Sequence, residues 1–181
     1  MAQNELRIIA GKWRGRKISF PDALGLRPTG DRIRETLFNW LMNDIHGAVC
    51  LDAFSGSGAL GFEAASRGAQ RVILLDTNAE AVKSLKANQK KLAAEEVTIN
   101  QQGALEFLKQ TKQPVDIIFL DPPFHQGLIN KALATIKASQ ILKDSGLIYV
   151  EYESELSPDF SDWSVLKSKE TGQVCFALLH L

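Results

Sequence analysis

From residue 48 to residue 152 the chain repeats one unit, a strand-sized apolar run, a short loop and a helix-length amphipathic segment. Strands are expected at Val49–Ala53, Arg71–Leu75, Val97–Asn100, Asp116–Leu120 and Leu147–Glu151. Helices are expected at Ala59–Arg67, Ala79–Leu92, Ala104–Gln110 and Gly127–Ala138. Strands separated by helices at this spacing predict an α/β fold built on a mostly parallel, doubly wound sheet. Two later apolar segments, around Trp163–Leu166 and Val174–Leu179, are read as an antiparallel hairpin closing that sheet. Ahead of the repeat, Leu6–Ala10 and Trp13–Phe20 read as a short hairpin turning at Gly11, with Gly15 inside its second strand. A turn-rich piece from Pro21 to Gly30 follows. Thr29 or Asp31 then caps a helix whose Ile33, Leu37, Phe38 and Leu41 share one face.

At 181 residues the chain is read as one domain (1–181), a basic hairpin extension over 1–30 and a core over 31–181. Its Cys50 and Cys175 sit in apolar surroundings without C-x-x-C or Cys/His spacing, so a reducing compartment and no metal site are expected. Apolar runs are too short to span a bilayer, and the first residues lack the pattern of a signal peptide; a soluble, cytoplasmic protein is the expectation. Lys plus Arg and Asp plus Glu both total 21, yet the balance is uneven along the chain. Residues 1–40 hold eight basic side chains against four acidic ones, a local +4 matched by −4 elsewhere. Such a segment is either a basic face for a polyanion or an ordinary solvated arm.

Leu51-Asp52-Ala53-Phe54-Ser55-Gly56-Ser57-Gly58-Ala59-Leu60-Gly61 follows the first strand and opens a helix, and Asp76 lies twenty positions after Gly56. The glycines satisfy G-x-G-x-x-G, a pattern that seats a pyrophosphate in NAD-binding folds. S-adenosylmethionine sites use a similar loop with an acid after the second strand. Asp52 favours the methyl donor, because an acid at the strand tip crowds a pyrophosphate but accepts from an ammonium. No residue constellation for hydride transfer appears at later strand ends.

Asp121-Pro122-Pro123-Phe124 leaves the apolar run Val115–Leu120 at the strand edge where open α/β sheets bind ligands. The prolines stiffen the turn and remove two backbone donors, so its carbonyls stay free to accept. Acceptors beside an aromatic ring suit a flat group with an exocyclic amine, and a nucleobase is the first candidate.

Taken together, RIIAGKWRGRKI, RPTGDRIRETLFNWL, LDAFSGSGALGFEAASRGA, LLDTN, FLDPPF, LIYVE and the terminal GQV run through nearly the whole length. In that order they resemble the bacterial 16S ribosomal RNA guanine-N2 methyltransferases of the small subunit. The resemblance implies a Rossmann-like class I methyltransferase with an antiparallel strand at its carboxyl end and an amino-terminal β-hairpin arm. It implies methyl transfer from S-adenosyl-L-methionine to a guanine N2, leaving S-adenosyl-L-homocysteine. Asp52, Phe54, Gly56 and Gly58 are then expected at the methionine end of the cofactor and Asp76 at its ribose. Thr77 is expected near the adenine, which Gly103-Ala104 or Gln102 contacts. Thr29, Arg32 and Arg34 close over the cofactor and help position RNA. Asp121, also lining the cofactor, and the Pro122 carbonyl accept from the target amine, and Phe124 stacks on the base. Arg7, Lys12, Arg14, Arg16 and Lys17 grip phosphates together with Arg34, and Trp13 either stacks on RNA or packs in the hairpin. The expected partner is 16S rRNA in an assembled or assembling small subunit, met by a monomer that binds no membrane. Three other readings stay open: a DNA adenine or cytosine methyltransferase, a binding module without catalysis, and an NAD-dependent dehydrogenase.

Overall fold

A computed structural model describes residues 3–22 and 29–181. Its elements run β1 (Gln3–Arg7), β2 (Lys17–Pro21), α1 (Asp31–Trp40), β3 (Val49–Asp52), α2 (Ala59–Ser66), β4 (Arg71–Asp76), α3 (Ala79–Leu92) and β5 (Val97–Gln101). They continue with α4 (Ala104–Gln110), β6 (Val115–Leu120), α5 (Leu128–Ser139), β7 (Leu142–Glu153), β8 (Ser164–Thr171) and β9 (Val174–His180). The principal sheet has the order β5-β4-β3-β6-β7-β9-β8. Strands β5, β4, β3, β6 and β7 are mutually parallel, and β9 runs antiparallel to both its neighbours. The expected fold class is therefore the observed one.

Period-two alternation gives each central strand two buried faces. Ile117 and Phe119 of β6, with Tyr149 of β7, join one apolar cluster against α1, α2 and α3. Ile118, Leu120, Ile148 and Val150 join the other, against α4 and α5. The chain order reverses between β3 and β6, opening a crevice at the carboxyl ends of those strands. Local signals set the helix ends. Asn78 caps α3 by accepting the Glu80 and Ala81 N–H groups, and Ala93 stops it in the left-handed conformation at φ 51°.

The amino-terminal hairpin differs from its expectation. Its strands end at Arg7 and restart at Lys17, so Trp13–Arg16 belong to a folded connection and not to a strand. The cause is a competing acceptor: the Ile9 and Ala10 N–H groups donate to the buried Glu63 carboxylate at 2.8 and 3.0 Å, which turns this backbone toward α2. Gly11, at φ 82°, brings its backbone against Ser66, where a Cβ would stand 1.9 Å from the Ser66 carbonyl oxygen. Elsewhere the hairpin rests on α3, with the Ser19 N–H on Asn88 and the Ser19 carbonyl accepting from Ser84 and Asn88. Nor does Thr29 or Asp31 cap α1. Gly30 takes that position without a side-chain cap bond, and Asp31 pairs with Arg34 instead. Of the turn-rich stretch 21–30, residues 23–28 lie outside the described residues.

Candidate active site

Asp76, Asp52, Asp121 and Glu151 stand at or near the carboxyl ends of β4, β3, β6 and β7, neighbours in that order across the sheet. They open onto one cavity of about 1240 Å³. Ligand pockets for a single small molecule usually hold about 300–1,000 Å³, so this space suits a cofactor and a second group together.

One wall is the glycine loop. Ser55 donates its N–H to the Leu75 carbonyl at 2.9 Å, and Gly56 donates to Asp76 Oδ2 at 2.9 Å, tying the loop to the tip of β4. Asn78 N–H reaches the other Asp76 oxygen at 2.8 Å. Each carboxylate oxygen keeps a lone pair for a ligand hydroxyl. Asp52 is 2 % exposed, its Oδ2 accepting from Gly61 N–H at 3.1 Å. Burial pushes its carboxyl up to about 7. A buried acid of this kind, with no ion pair among the described residues, is a ready receptor for a ligand ammonium.

The opposite wall is the Asp121–Phe124 turn. Pro122 is buried and Phe124 half-buried, and among the described residues no backbone N–H donates to the Pro122 carbonyl. Glu153 holds the turn's far end, accepting the His125 N–H at 3.0 Å while His125 sits at φ 62°. Asp121 follows Phe119 by two residues and Glu151 follows Tyr149 by two, so both acids point to the sheet face that α1 covers. Pairing of Leu120 with Val150 sets them side by side. Thr29, just ahead of the Gly30 cap of α1, sits over the pair, its hydroxyl 3.0 Å from Asp121 Oδ2 and 3.2 Å from Glu151 Oε2. Tyr149 O–H donates to Glu151 Oε2 at 2.8 Å. Burial first, then the mutual repulsion of the acids, raises Asp121 well above the ordinary carboxylate range; burial also raises Glu151 and the Tyr149 hydroxyl.

The cavity brings together Thr29, Asp52, Phe54, Gly56, Asp76, Thr77, Gly103, Ala104, Asp121, Pro122 and Phe124. It does not include two residues expected at the cofactor. Gly58 caps α2 at φ 80°, where a Cβ would press on Leu85 and Phe62, so its role is the turn. Arg32 lies exposed on α1 and does not line the cavity, although Gly30 and Ile33 beside it do.

Two residues expected on RNA are buried. Arg34 is 0 % exposed, bonded to Glu63, Asp31 and the Arg7 carbonyl, and so fastens the hairpin instead of gripping phosphate. Trp13 is 6 % exposed within the core, leaving no free ring face to stack on a base; Lys12 Nζ stands 4.4 Å over the ring. Of the other basic side chains, Lys12 pairs with Glu96, Lys17 pairs with Glu5, Arg7 donates to the Gly15 carbonyl and Arg16 to the Lys91 carbonyl. Arg14 is exposed and, among the described residues, makes no side-chain hydrogen bond or ion pair. Because Ser66, Glu96 and Lys91 lie at the ends of α2 and α3 or before β5, this basic tip sits at the sheet edge opposite the cavity.

Glu151 and Tyr149 were not among the expected site residues. The signal for them was an acid closing the apolar run Leu147–Val150 at the end of a central strand.

This fold and crevice define a class I methyltransferase. The family described as "Conserved hypothetical protein 95" matches residues 6–180, and the chain belongs to it. A Haemophilus influenzae protein named "Ribosomal RNA small subunit methyltransferase D" is 47 % identical, the match covering 98 % of this chain and 94 % of that one. Its Escherichia coli namesake is 44 % identical, with 96 % and 89 % covered. Among solved structures, a putative methyltransferase of Escherichia coli superposes with a TM-score of 0.89 at 43 % identity, covering 97 % of both chains. A putative methylase of Haemophilus influenzae gives 0.84 at 44 % identity, covering 97 % of this chain and 98 % of that one.

Proposed function

We propose that this protein transfers a methyl group from S-adenosylmethionine to the exocyclic N2 of a guanine in 16S ribosomal RNA, acting as a monomer on an assembled or assembling small subunit. The observation that carries the reading is the pairing, across one cavity, of the acceptor turn Asp121–Phe124 with a glycine loop flanked by Asp52 and Asp76. The named relatives support ribosomal RNA of the small subunit as the substrate.

The residues present fit this cofactor. Asp52 is a buried acid without a protein cation among the described residues, suited to the ammonium of an amino-acid tail. Asp76 is fixed by two backbone N–H groups with lone pairs left for ribose hydroxyls. Gly103 and Ala104 line the cavity at the start of α4, which has no side-chain cap, leaving backbone N–H groups for an adenine edge. When bound, the cofactor supplies a methyl group already activated on a sulfonium. Asp121 and the Pro122 carbonyl accept hydrogen bonds from the target amine, aiming its lone pair and stabilising the positive charge that grows on nitrogen. Phe124 holds the base plane by stacking, a contact of about 1–3 kcal/mol. The acidic lining repels phosphates, so a base must leave its stack to enter while its backbone stays outside.

The test is transfer of labelled methyl to small subunits and to naked 16S rRNA from a strain lacking the activity, followed by nucleoside mass spectrometry. A single N2-methylguanosine is the expected product. Label on another atom, or none, overturns the substrate reading. Calorimetric binding of NAD in place of S-adenosylmethionine would overturn the cofactor.

A further inference from the structure

The Thr29 hydroxyl has one hydrogen and two carboxylates within bonding distance, Asp121 Oδ2 at 3.0 Å and Glu151 Oε2 at 3.2 Å. It donates to one of them. If both acids were ionised, the other contact would set lone pair against lone pair in a buried site. The Tyr149 hydroxyl does not relieve this, because its own hydrogen is spent on Glu151 Oε2 at 2.8 Å. Among the described residues the remaining group facing the pair is Asp52 on β3, a further acid, and no ion pair involves Asp121 or Glu151. One additional proton satisfies every contact: a protonated carboxyl donates to Thr29 Oγ1, and Thr29 donates to the carboxylate.

We propose that Asp121 and Glu151 hold a single proton between them across the Thr29 hydroxyl, and that Glu151 is the positioning residue that sets the proton affinity of Asp121. Reversing the direction of the Thr29 O–H moves the proton from one acid to the other without moving a heavy atom. With the proton on Glu151, Asp121 is an anion that accepts from the incoming amine. With the proton on Asp121, Glu151 is an anion held by the Thr29 and Tyr149 hydroxyls. The catalytic consequence rests on the amine-methylation reading above. As the N–C bond forms and the S–C bond breaks, its electron pair leaving with sulfur, the nitrogen carries one proton too many. That proton passes to Asp121, and the pair goes from one proton to two and from −1 to neutral. The site thus takes up a proton without gaining a buried charge.

Carboxyl-labelled full-length protein, titrated by carbon NMR without ligand, tests the proton directly. The Asp121 and Glu151 carbons should titrate together in two steps separated by more than about one pH unit. In Glu151→Gln the upper step disappears and Asp121 titrates below it, because the neighbouring negative charge that opposed its ionisation is gone. Tyr149→Phe, which keeps the core volume, should move the upper step up by removing a donor to the Glu151 anion. In turnover, Glu151→Gln should lower kcat by about a hundredfold with cofactor affinity unchanged, and Thr29→Ser should retain activity that Thr29→Val loses. Independent single-step titrations in the wild type, or an Asp121 midpoint unmoved in Glu151→Gln, would overturn the shared proton even if guanine N2 is methylated. A coupled titration together with methylation of a different atom would leave the shared proton standing and overturn the substrate reading alone.

Discussion

Arg34 and Glu63 face each other with no exposed surface on either residue, Arg34 Nη1 lying 3.4 Å from Glu63 Oε2. Glu63 also accepts the Ile9 and Ala10 N–H groups and pairs with Arg67, while Arg34 reaches the Arg7 carbonyl and Asp31. One buried carboxylate thereby fastens the amino-terminal hairpin to both α1 and α2. A buried pair of this kind is costly to break from one side, because the survivor is left charged and unpartnered.

Arg34→Ala or Glu63→Ala should therefore cost about 3–5 kcal/mol in denaturant unfolding. Loss of the hairpin's protection in hydrogen exchange should accompany it. A variant that unfolds like the wild type would show that the hairpin is held by apolar packing alone.

Trp13 and Arg14 are adjacent but should report on different things. Trp13→Ala removes a core ring and should destabilise the fold by about 3–5 kcal/mol. Arg14→Glu should leave stability within about 0.5 kcal/mol, as surface changes do. It should weaken RNA binding and lower the slope of log affinity against log salt by about 0.7–0.9 for each phosphate no longer neutralised. An unchanged salt slope in Arg14→Glu would remove the hairpin tip from the RNA surface.

Asp121→Ala should abolish methyl transfer while cofactor affinity, read by calorimetry, stays within roughly tenfold, because this carboxyl acts mainly on the amine. A loss confined to cofactor affinity would move Asp121 to the cofactor.

Burial lifts Asp52 from its ordinary 3.8 to about 7, so between those values the folded state binds more protons than the unfolded one. Stability from this group is present at low pH and is lost as pH rises through that window, by about 4 kcal/mol when complete. Asp52→Asn keeps an oxygen for the Gly61 N–H and has no charge to bury. It should gain on the wild type in thermal unfolding as pH rises from 4 toward 7 and hold that gain above; a constant difference would refute the burial cost.

The sheet and the glycine loop were legible because their signals are local. Continuous apolar runs such as Val115–Leu120, the Asn78 cap and the Gly56–Gly61 spacing act within a few residues of themselves. The roles of Trp13 and Arg34 were not legible. Both sit in a basic stretch that looks solvated, and what buries them lies on α2, with Glu63 29 positions after Arg34 and Ser66 53 positions after Trp13. Thr29 reads as a helix cap for the same reason, since Asp121 and Glu151 lie 92 and 122 residues away.

The sequence by itself determined the repeating α/β pattern, the loop that suits a methyl donor and the acceptor turn that suits an amine. Only the tertiary structure decided which acids share one hydroxyl and which basic side chains are taken up by partners within the protein. Hydrophobic periodicity and turn chemistry are properties of neighbouring residues. Proton sharing and ion pairing depend on distances of about 3 Å between atoms that the folded sheet alone brings together.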